Sequence, residues 1–379
     1  MMTWIEISSQ NLLHNLGEFR RIVGPRVTIM AVVKANAYGH GIGTVASALK
    51  DEKIWFAVDK AEEGILLRKI GTRQPILVMG YTPLDELETA ARSGLDLTVY
   101  NRETITRLIQ NKIPARVHLK LETGTTRQVV GEKDAIAITT LITKSPNVKL
   151  VGASTHYANI EDTVDRSYSD GQLKQFNTIL QRMLPKLGFG KNTRNFSLLR
   201  HTAASAGAIL FPETHFDAVR IGISLYGIWP SRETKVSAHE SGRNHLNLKP
   251  VLAWKTLVAQ VKSIRRGTPV SYGLTERVSR PSRVAVLPVG YYDGYDRGLS
   301  SVGSALIRGR RAKVLGRVCM NMIVVDVTDI PRVRLEDEAV LIGHQGREKL
   351  NADEVATKCG TIPYEILSRI NPLLPRTVV

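Results

Sequence analysis

A lysine at the end of a buried strand is the residue of this sequence with the clearest chemistry. Val27 to Val33 is a continuously apolar, β-branched run, which predicts a parallel strand covered on both faces, and Lys34 follows it directly. Ligands of α/β folds bind at the carboxyl ends of such strands. Burial frees the amine of a lysine to condense with an aldehyde. The alternative is a lysine whose ammonium group reaches past the strand end into water.

The residues around this lysine resemble those of a known family. The segment AVVKANAYGHG, residues 31–41, is similar to the pyridoxal-phosphate lysine motif of alanine racemases. The resemblance implies that Lys34 carries pyridoxal 5'-phosphate as an internal aldimine. It also implies that Tyr38 contacts the cofactor phosphate.

A second segment, HLKLETGTTRQVV (residues 118–130), combines a strand with a Gly-Thr loop. It is similar to a family segment in which an arginine contacts the phenolic oxygen of the cofactor and the substrate, and that role falls on Arg127. Lys120 occupies the position of a lysine that the family often carries as a carbamate. Thr125 and Thr126 stand where the family commonly has a glycine next to the arginine. Considered alone, Arg127 is equally a surface arginine on a turn.

Two more strand ends carry polar residues. They are STHYAN (residues 154–159) and HTAASAG (residues 201–207). The resemblance implies that His156 lies against the pyridine ring, and that Ser205 binds the phosphate with His201 preceding it in the site. On local grounds His156 is equally a structural histidine. Ser205 is equally the N-cap of a helix.

The segment VRIGISLYG, residues 219–227, is a strand that ends in glycine. Gly222 allows the main chain to approach a phosphate closely. The resemblance implies that Arg220 donates to the pyridine nitrogen and that the amides of Gly222 and Ile223 bind the phosphate. An arginine stays charged, so it leaves that nitrogen unprotonated and the cofactor a weaker electron sink, which favours reprotonation over transamination. The alternative is a barrel arginine paired with an acid.

The last two segments lie far along the chain. VSYGLT (residues 270–275) contains Tyr272, and GRVCMNM (residues 316–322) resembles the segment whose main chain binds the substrate carboxylate at Met320. Asn321 replaces the acidic residue that is usual there. The resemblance implies that Tyr272 is the second catalytic base, beside Lys34. A lone tyrosine in a turn is otherwise a structural residue, and no metal site is predicted.

The elements that must position these residues alternate between strand and helix from Val27 to about Ile223. Strands are predicted to begin near Val27, Ile54, Ile76, Leu95, Val117, Val148, Asn195 and Val219. Helices are predicted between them, for example at Ala61–Lys69, Glu103–Gln110 and Tyr168–Leu184. About eight such units predict an α/β fold with an N-terminal (β/α)8 TIM-like barrel, residues 1–230.

The pattern changes after Trp229. Ser231 to Asn247 is polar, and we expect a linker or loop there. Short β-branched runs separated by Gly and Pro then predict a mostly β C-terminal domain, residues 245–379, which the N-terminal strand at residues 2–7 can join. These runs are Val251–Ile264, Arg283–Pro288, Ala312–Leu315, Ile323–Val327 and Ala339–Ile342.

Composition limits the classes of function. The 379 residues carry a net charge of +17, but the basic residues form no long run, which argues against a nucleic-acid partner. A basic solvated surface, or steering of anionic small molecules, accounts for this charge. The two cysteines, Cys319 and Cys359, cannot form a disulfide scaffold. With no visible secretory signal and no apolar run long enough to cross a bilayer, we expect a cytoplasmic protein without a membrane partner.

The resembling segments run in the family order from Lys34 to about Pro375, and the chain is identified as a member of the alanine racemase family. The resemblance implies a homodimer with shared active sites that interconverts L- and D-alanine by a two-base mechanism and supplies D-alanine for peptidoglycan. One alternative is a broader-specificity or serine racemase, because Pro372 stands where many members have a tyrosine. Another is a pyridoxal-phosphate decarboxylase on the same fold. A decarboxylase would lack the VSYGLT base and would have an acid in place of Arg220.

Overall fold

The computed structural model describes residues 1–187, 198–241 and 246–379. They form two compact units. The barrel unit comprises Leu13–Ala35 and Ala46–Lys249, and the β unit comprises Met1–Leu12, Asn36–Val45 and Pro250–Val379. In the part of the chain that is described, no helix is long and apolar enough to span a bilayer.

The chain begins with strand β1 (Thr3–Ile7) and helix α1 (Ser9–Val23). In the described part of the barrel unit, eight parallel strands then pair in the order β8-β7-β6-β5-β4-β3-β2-β9. Their bounds are β2 Thr28–Val32, β3 Trp55–Val58, β4 Ile76–Val78, β5 Leu95–Val99, β6 Ala115–Lys120, β7 Val148–Ser154, β8 Leu199–His201 and β9 Ala218–Ile221. All residues of β5 and β9 are buried, as expected for parallel strands with both faces covered.

The two end strands of this sheet approach each other. The N–H of Asp217 donates to the carbonyl of Arg200 at 3.1 Å, and that of Arg220 donates to the carbonyl of Ala203 at 3.0 Å. These bonds join β9 to the chain around β8 and nearly close the barrel. The predicted (β/α)8 fold is therefore confirmed. The strand expected near Asn195 lies outside the described residues, and the strand seen next along the chain is β8.

Helices alternate with the strands along the chain, as the sequence pattern predicts. Those of the first 240 residues, after α1, are α2 Lys34–Tyr38, α3 Ile42–Ala48, α4 Ala61–Lys69, α5 Leu87–Arg92, α6 Arg102–Gln110, α7 Glu132–Thr143, α8 Ser167–Met183, α9 Ser205–Leu210 and α10 Arg232–Glu240. Short 3-10 helices lie at Leu184–Leu187, Pro212–Thr214 and Ile223–Tyr226.

The prediction of a linker or loop at Ser231–Asn247 is wrong over most of its length, because the stretch contains helix α10. The Oγ of Ser231 accepts the N–H of Thr234 at 3.0 Å and caps the helix. Thr234 and Ala238, one turn apart, are fully buried. Two small residues are enough to anchor a helix whose other positions, apart from the exposed Val236, are mostly polar.

The β unit contains three separate sheets in the described residues. The largest has the order β16-β15-β18-β10-β1-β20, with β19 paired to β18; the others are β11-β14-β17 and β12-β13. The bounds are β10 Leu252–Leu257, β11 Gln260–Ile264, β12 Pro269–Val270, β13 Glu276–Arg277, β14 Ser282–Leu287, β15 Ser304–Ile307, β16 Arg310–Lys313, β17 Ile323–Asp326, β18 Glu338–Gln345, β19 Glu348–Leu350 and β20 Arg376–Val378. Helices α11 (Ala352–Cys359) and α12 (Pro363–Ser368) and 3-10 helices at Tyr272–Leu274, Tyr291–Asp293 and Arg297–Leu299 complete it.

The β-branched run Val251–Ile264 forms two strands, β10 and β11, which belong to different sheets. The break lies at Val258 and Ala259, whose N–H groups donate to Asp337 and Val286 respectively. The N-terminal strand β1 pairs antiparallel with β10 and parallel with β20. The mostly β character of the second unit is confirmed.

Candidate active site

Element α2, the segment after β2, is a left-handed helical turn. Residues 35–38 all have φ between 52° and 54°. This conformation costs an ordinary L-residue roughly 1–2 kcal/mol, so neighbouring contacts must hold it. Gly39 and Gly41, with φ of 82° and 95°, also lie in the left-handed region, at no such cost. The glycines of the lysine motif therefore have a conformational reason.

In the barrel unit, Glu63 holds the start of this turn. Its carboxylate accepts the N–H groups of Ala35 at 2.7 Å, Asp59 at 2.9 Å and Lys60 at 3.2 Å. The Nζ of Lys34 lies 3.4 Å from Oδ1 of Asp59, and the lysine side chain is 39% exposed. The amine is thus accessible and paired rather than buried. One carboxylate fixes both the main chain beside Lys34 and the loop that carries its ionic partner.

In the β unit, His40 and Asn36 hold the rest of the turn. The Nδ1 of His40 lies 3.0 Å from the carbonyls of both Ala37 and Tyr38. Burial lowers the pKa of His40 to about 4, so the ring is neutral near pH 7 and its proton sits on Nδ1. The Oδ1 of Asn36 accepts the N–H of Ile42 at 2.9 Å. The polar residues of the motif therefore shape the turn that ends in Tyr38.

Arg220, on β9, is buried and bonded to the main chain and a histidine. Its Nη1 donates to the carbonyl of His201 at 2.5 Å and lies 2.6 Å from Nδ1 of the same residue. Its Nη2 donates to the carbonyls of Thr155 and Thr202 at 2.9 and 2.8 Å. Burial lowers the pKa of Arg220 to about 10, which leaves it charged near pH 7. Within the part of the chain that is described, Arg220 has no carboxylate partner. The alternative of a barrel arginine paired with an acid is therefore wrong.

A chain of hydrogen bonds behind Arg220 fixes its orientation. Burial and the adjacent Arg220 keep the pKa of His201 well below its usual value, so the ring is neutral. Because Nδ1 accepts from Arg220, Nε2 carries the proton and donates to Nδ1 of His118 at 2.9 Å. The Nε2 of His118 lies 3.2 Å from Asp96, which also accepts from Arg116 at 2.8 Å.

These hydrogen bonds suggest a role for His201 other than the cofactor contact expected from the sequence. Both of its ring nitrogens bond within the barrel, so we place it as support for Arg220 rather than as a hydrogen-bonding ligand of a cofactor. His118 and Asp96 were missed by sequence analysis. Their only signal was a titratable residue type within a predicted buried strand.

Positive charge is concentrated around His156, which follows β7. Burial is the main cause that lowers the pKa of His156 to about 3. The positive charges of four nearby side chains lower it further, and these are Arg220, Arg127, Lys120 and Lys34. Its imidazole is therefore neutral. Burial and three of the same cations lower the pKa of Lys120 to about 8. Four basic side chains at the carboxyl edge of one barrel suit an anionic ligand.

The predicted phosphate ligands Ser205 and Gly222 come together. Ser205 is the first residue of α9, and its Oγ accepts the N–H of Gly222 at 3.1 Å. Ile223 opens the 3-10 helix directly after Gly222. A hydroxyl and the start of a helical turn therefore lie side by side, although 17 residues separate Ser205 from Gly222.

The loop carrying Arg127 is shaped by Glu122. Its carboxylate accepts the N–H groups of Gly124 at 2.6 Å, Thr125 at 2.9 Å and Thr126 at 3.2 Å. Thr126 is left-handed, with φ of 50°, which is unusual for a β-branched residue. The residue before Arg127 thus has a conformation suited to glycine, although it is a threonine. The side chain of Arg127 is exposed.

The β unit presents Tyr272 on a strained turn. Ser271 has φ 64° and ψ −170°, a region almost confined to glycine. Its Oγ donates to the carbonyl of Arg317 at 2.6 Å, which ties the turn to the segment leading to Met320. The side chain of Tyr272 is 72% exposed.

The segment around Met320 packs against the Gly-rich sequence that begins at Gly290. A Cβ atom on Gly290 would lie 2.2 Å from the carbonyl oxygen of Cys319, so only glycine fits. The N–H of Tyr292 donates to the carbonyl of Met320 at 3.0 Å. The main chain at Met320 is thereby held while its side chain remains exposed.

Comparison with known proteins agrees with this arrangement. The model of the alanine racemase N-terminal domain matches residues 7–230, and that of the alanine racemase C-terminal domain matches residues 251–378. An alanine racemase of Leptospira interrogans is 39% identical over 380 residues, covering 100% of this chain and 96% of the relative. One of Halothermothrix orenii is 40% identical over 382 residues, covering 99% and 96% respectively.

Solved structures show the same likeness. An alanine racemase of Clostridium difficile 630 has a TM-score of 0.90 at 30% identity, covering 100% of this chain and 96% of that one. The Bacillus anthracis alanine racemase with bound L-Ala-P has a TM-score of 0.90 at 31% identity, covering 100% and 95%. Both domains, the full length and the fold agree, and the chain belongs to the alanine racemase family.

Proposed function

We propose that this chain interconverts L- and D-alanine, with pyridoxal 5'-phosphate attached to Lys34. The observation that carries the proposal is the barrel edge where the accessible amine of Lys34 accompanies three further basic side chains, one of them Arg220, which is held by hydrogen bonds. The names of the relatives support alanine as the substrate.

The donor set fits pyridoxal phosphate group by group. The cofactor has an aldehyde, a ring nitrogen that accepts a hydrogen bond, and a phosphate. Lys34 offers a primary amine, Arg220 offers only N–H donors, and Ser205 with Gly222 and Ile223 would form a phosphate cradle. Tyr38 is proposed as a further phosphate ligand through its hydroxyl. Arg127 would face the phenolic oxygen. When bound, pyridoxal phosphate withdraws electrons from Cα and makes its hydrogen removable.

The protein supplies proton transfer on two faces. Inversion at Cα requires that one group removes the proton and another delivers one to the opposite face. Lys34 serves one face, and the hydroxyl of Tyr272 serves the other. Arg127 and the main chain at Met320 hold the substrate carboxylate. Arg220 keeps its own proton near pH 7, which limits electron withdrawal and favours return of the proton to Cα.

The assembly we propose is a homodimer in which Tyr272 completes the site of the other subunit. Its 72% exposure in the single chain supports this arrangement. We expect the enzyme in the cytoplasm, where it would supply D-alanine for peptidoglycan.

A chiral assay tests the proposal. The purified chain, loaded with pyridoxal phosphate, should convert L-alanine to an equal mixture of L- and D-alanine. Release of CO2 and ethylamine instead would indicate the decarboxylase alternative. Absence of any reaction from loaded, folded protein would refute the proposal.

Lys120 should carry a carbamate. A carbamate forms from a neutral amine and CO2 with loss of a proton, and the pKa of Lys120 near 8 makes the neutral amine available as the pH rises through that value. The cations around it would stabilise the negative product. We expect a carbamate carbon signal in NMR spectra of the protein equilibrated with 13C-labelled CO2, and it should strengthen as the pH passes about 8.

Lys120→Ala should remove this signal and lower racemisation about ten-fold, the usual scale for losing a charge-assisted contact. The exposed Lys144→Ala is the matched control and should keep both. A signal that persists in Lys120→Ala would place the carbamate elsewhere.

A further inference from the structure

Arg376, near the end of the chain, reaches back to the turn that carries Tyr38. Its Nε and Nη2 both donate to the carbonyl of Gly39, at 3.0 and 2.9 Å. Its Nη1 donates to the carbonyls of Asn371, Pro372 and Leu374, at 3.2, 3.0 and 2.6 Å. A guanidinium that binds carbonyls of two separate segments holds them together in the β unit.

Gly39, whose carbonyl accepts the first two bonds, has no room for a side chain. Gly39 has φ of 82°, and a Cβ atom there would lie 1.9 Å from the carbonyl oxygen of Leu367, in α12. A Cβ atom on Gly41 would lie 2.8 Å from Cδ of Arg376. Arg376 and α12 therefore enclose the Tyr38–Gly41 segment, and the close fit explains why its two glycines are needed.

The bonds from Arg376 bear directly on Tyr38. Gly39, whose carbonyl accepts these bonds, directly follows Tyr38. Tyr38 is itself left-handed, with φ of 52°. Left-handed residues persist only where their surroundings over-determine them. The carbonyl of Tyr38 is already bonded to His40, so Arg376 fixes the next carbonyl along the chain. The direction in which the Tyr38 ring leaves the main chain depends on both.

We propose that Arg376 is a positioning residue for the cofactor phosphate, acting through Gly39 to hold the hydroxyl of Tyr38 in place. The inference rests on the proposed function, because the phosphate role of Tyr38 belongs to it. The rival role is a plain anchor for the C-terminal strand β20, which pairs with β1. The two roles differ in what they predict for ligands with and without a phosphate.

The test compares two ligands of the cofactor-free, full-length chain: pyridoxal phosphate and pyridoxal, which lacks the phosphate. Arg376→Met should weaken binding of pyridoxal phosphate about ten-fold or more, the scale of losing a charge-assisted hydrogen bond. Binding of pyridoxal should change less than about two-fold. Arg376→Lys should be intermediate, because one ammonium cannot span carbonyls that a planar fork spans. Arg277→Lys is the matched control, because Arg277 also donates to a main-chain carbonyl of the β unit.

A second comparison places the effect at Tyr38. In a Tyr38→Phe background, Arg376→Lys should cause little further loss of pyridoxal phosphate affinity, because the hydroxyl it positions is gone. Equal weakening of both ligands, or no weakening of either, would overturn the inference and leave Arg376 as an anchor. Should Arg376→Met fail to fold, the Arg376→Lys comparison decides. A wild-type chain that binds neither ligand would instead refute the proposed function.

Discussion

Replacement of Lys34 by alanine should abolish covalent attachment of pyridoxal phosphate and racemisation together. The side chain is the accessible amine at the barrel edge, 3.4 Å from Asp59. Loss of a general acid/base alone costs about 10²–10⁴-fold in rate, and Lys34 has the attachment role as well. Because its side chain is 39% exposed, truncation should leave the fold nearly as stable as before.

Borohydride reduction followed by peptide mapping measures the first effect. The reduced cofactor should be found on the peptide containing Lys34 in the wild type and on none in Lys34→Ala. Lys50→Ala, which removes an exposed lysine of the same unit, should keep both label and activity. Label on another lysine in Lys34→Ala, with activity retained, would show that the assignment is wrong.

The barrel could be predicted because its signal is local. Runs such as Val27–Val33 and Ile76–Val78 are apolar at nearly every position, which is typical of a parallel sheet covered on both faces. Seven of the eight predicted strands have a counterpart in the described residues, beginning within two residues of the expected position. Helix α10 could not be predicted in the same way. Its buried face consists of Thr234 and Ala238, and two small residues give no apolar period.

Sequence analysis named candidate site residues where a motif marks them and missed those whose contacts depend on strand pairing. Asp96, His118 and His201 lie on β5, β6 and β8, and only the parallel arrangement of the barrel brings their side chains together. Glu63 was missed for a related reason. Its partner Ala35 is 28 residues away, and a backbone acceptor leaves no trace in sequence.

The left-handed turn shows a further limit of sequence reasoning. The resemblance named Lys34 and Tyr38 but gave no reason for the residues between and after them. Positive φ at residues 35–38 requires several contacts at once, from Glu63, His40 and Asn36. No single residue type predicts such a turn, because three of its four residues are alanine or tyrosine, which disfavour this conformation.

Replacement of Tyr272 by phenylalanine should keep the cofactor bound yet slow racemisation about 100-fold or more, the scale for loss of a general acid/base group. The ring is 72% exposed, and its turn is held by Ser271, so the substitution should not disturb the fold. The loss should be unequal between the two faces. Exchange of the Cα hydrogen of D-alanine with solvent, through Lys34, should survive better than exchange from L-alanine. Equal losses, or full racemisation in Tyr272→Phe, would contradict the assignment.

Mixing two inactive variants tests whether sites are shared between subunits. A heterodimer of Lys34→Ala with Tyr272→Phe has one site lacking both groups and one site with both, provided that each tyrosine serves the partner subunit. Random pairing in a two-fold dimer should therefore restore roughly a quarter of the wild-type activity. If each tyrosine served its own subunit, every site would lack one group and no activity would return. Mass spectrometry of the mixture must show the heterodimer, so that absence of rescue can be read as evidence against a shared site.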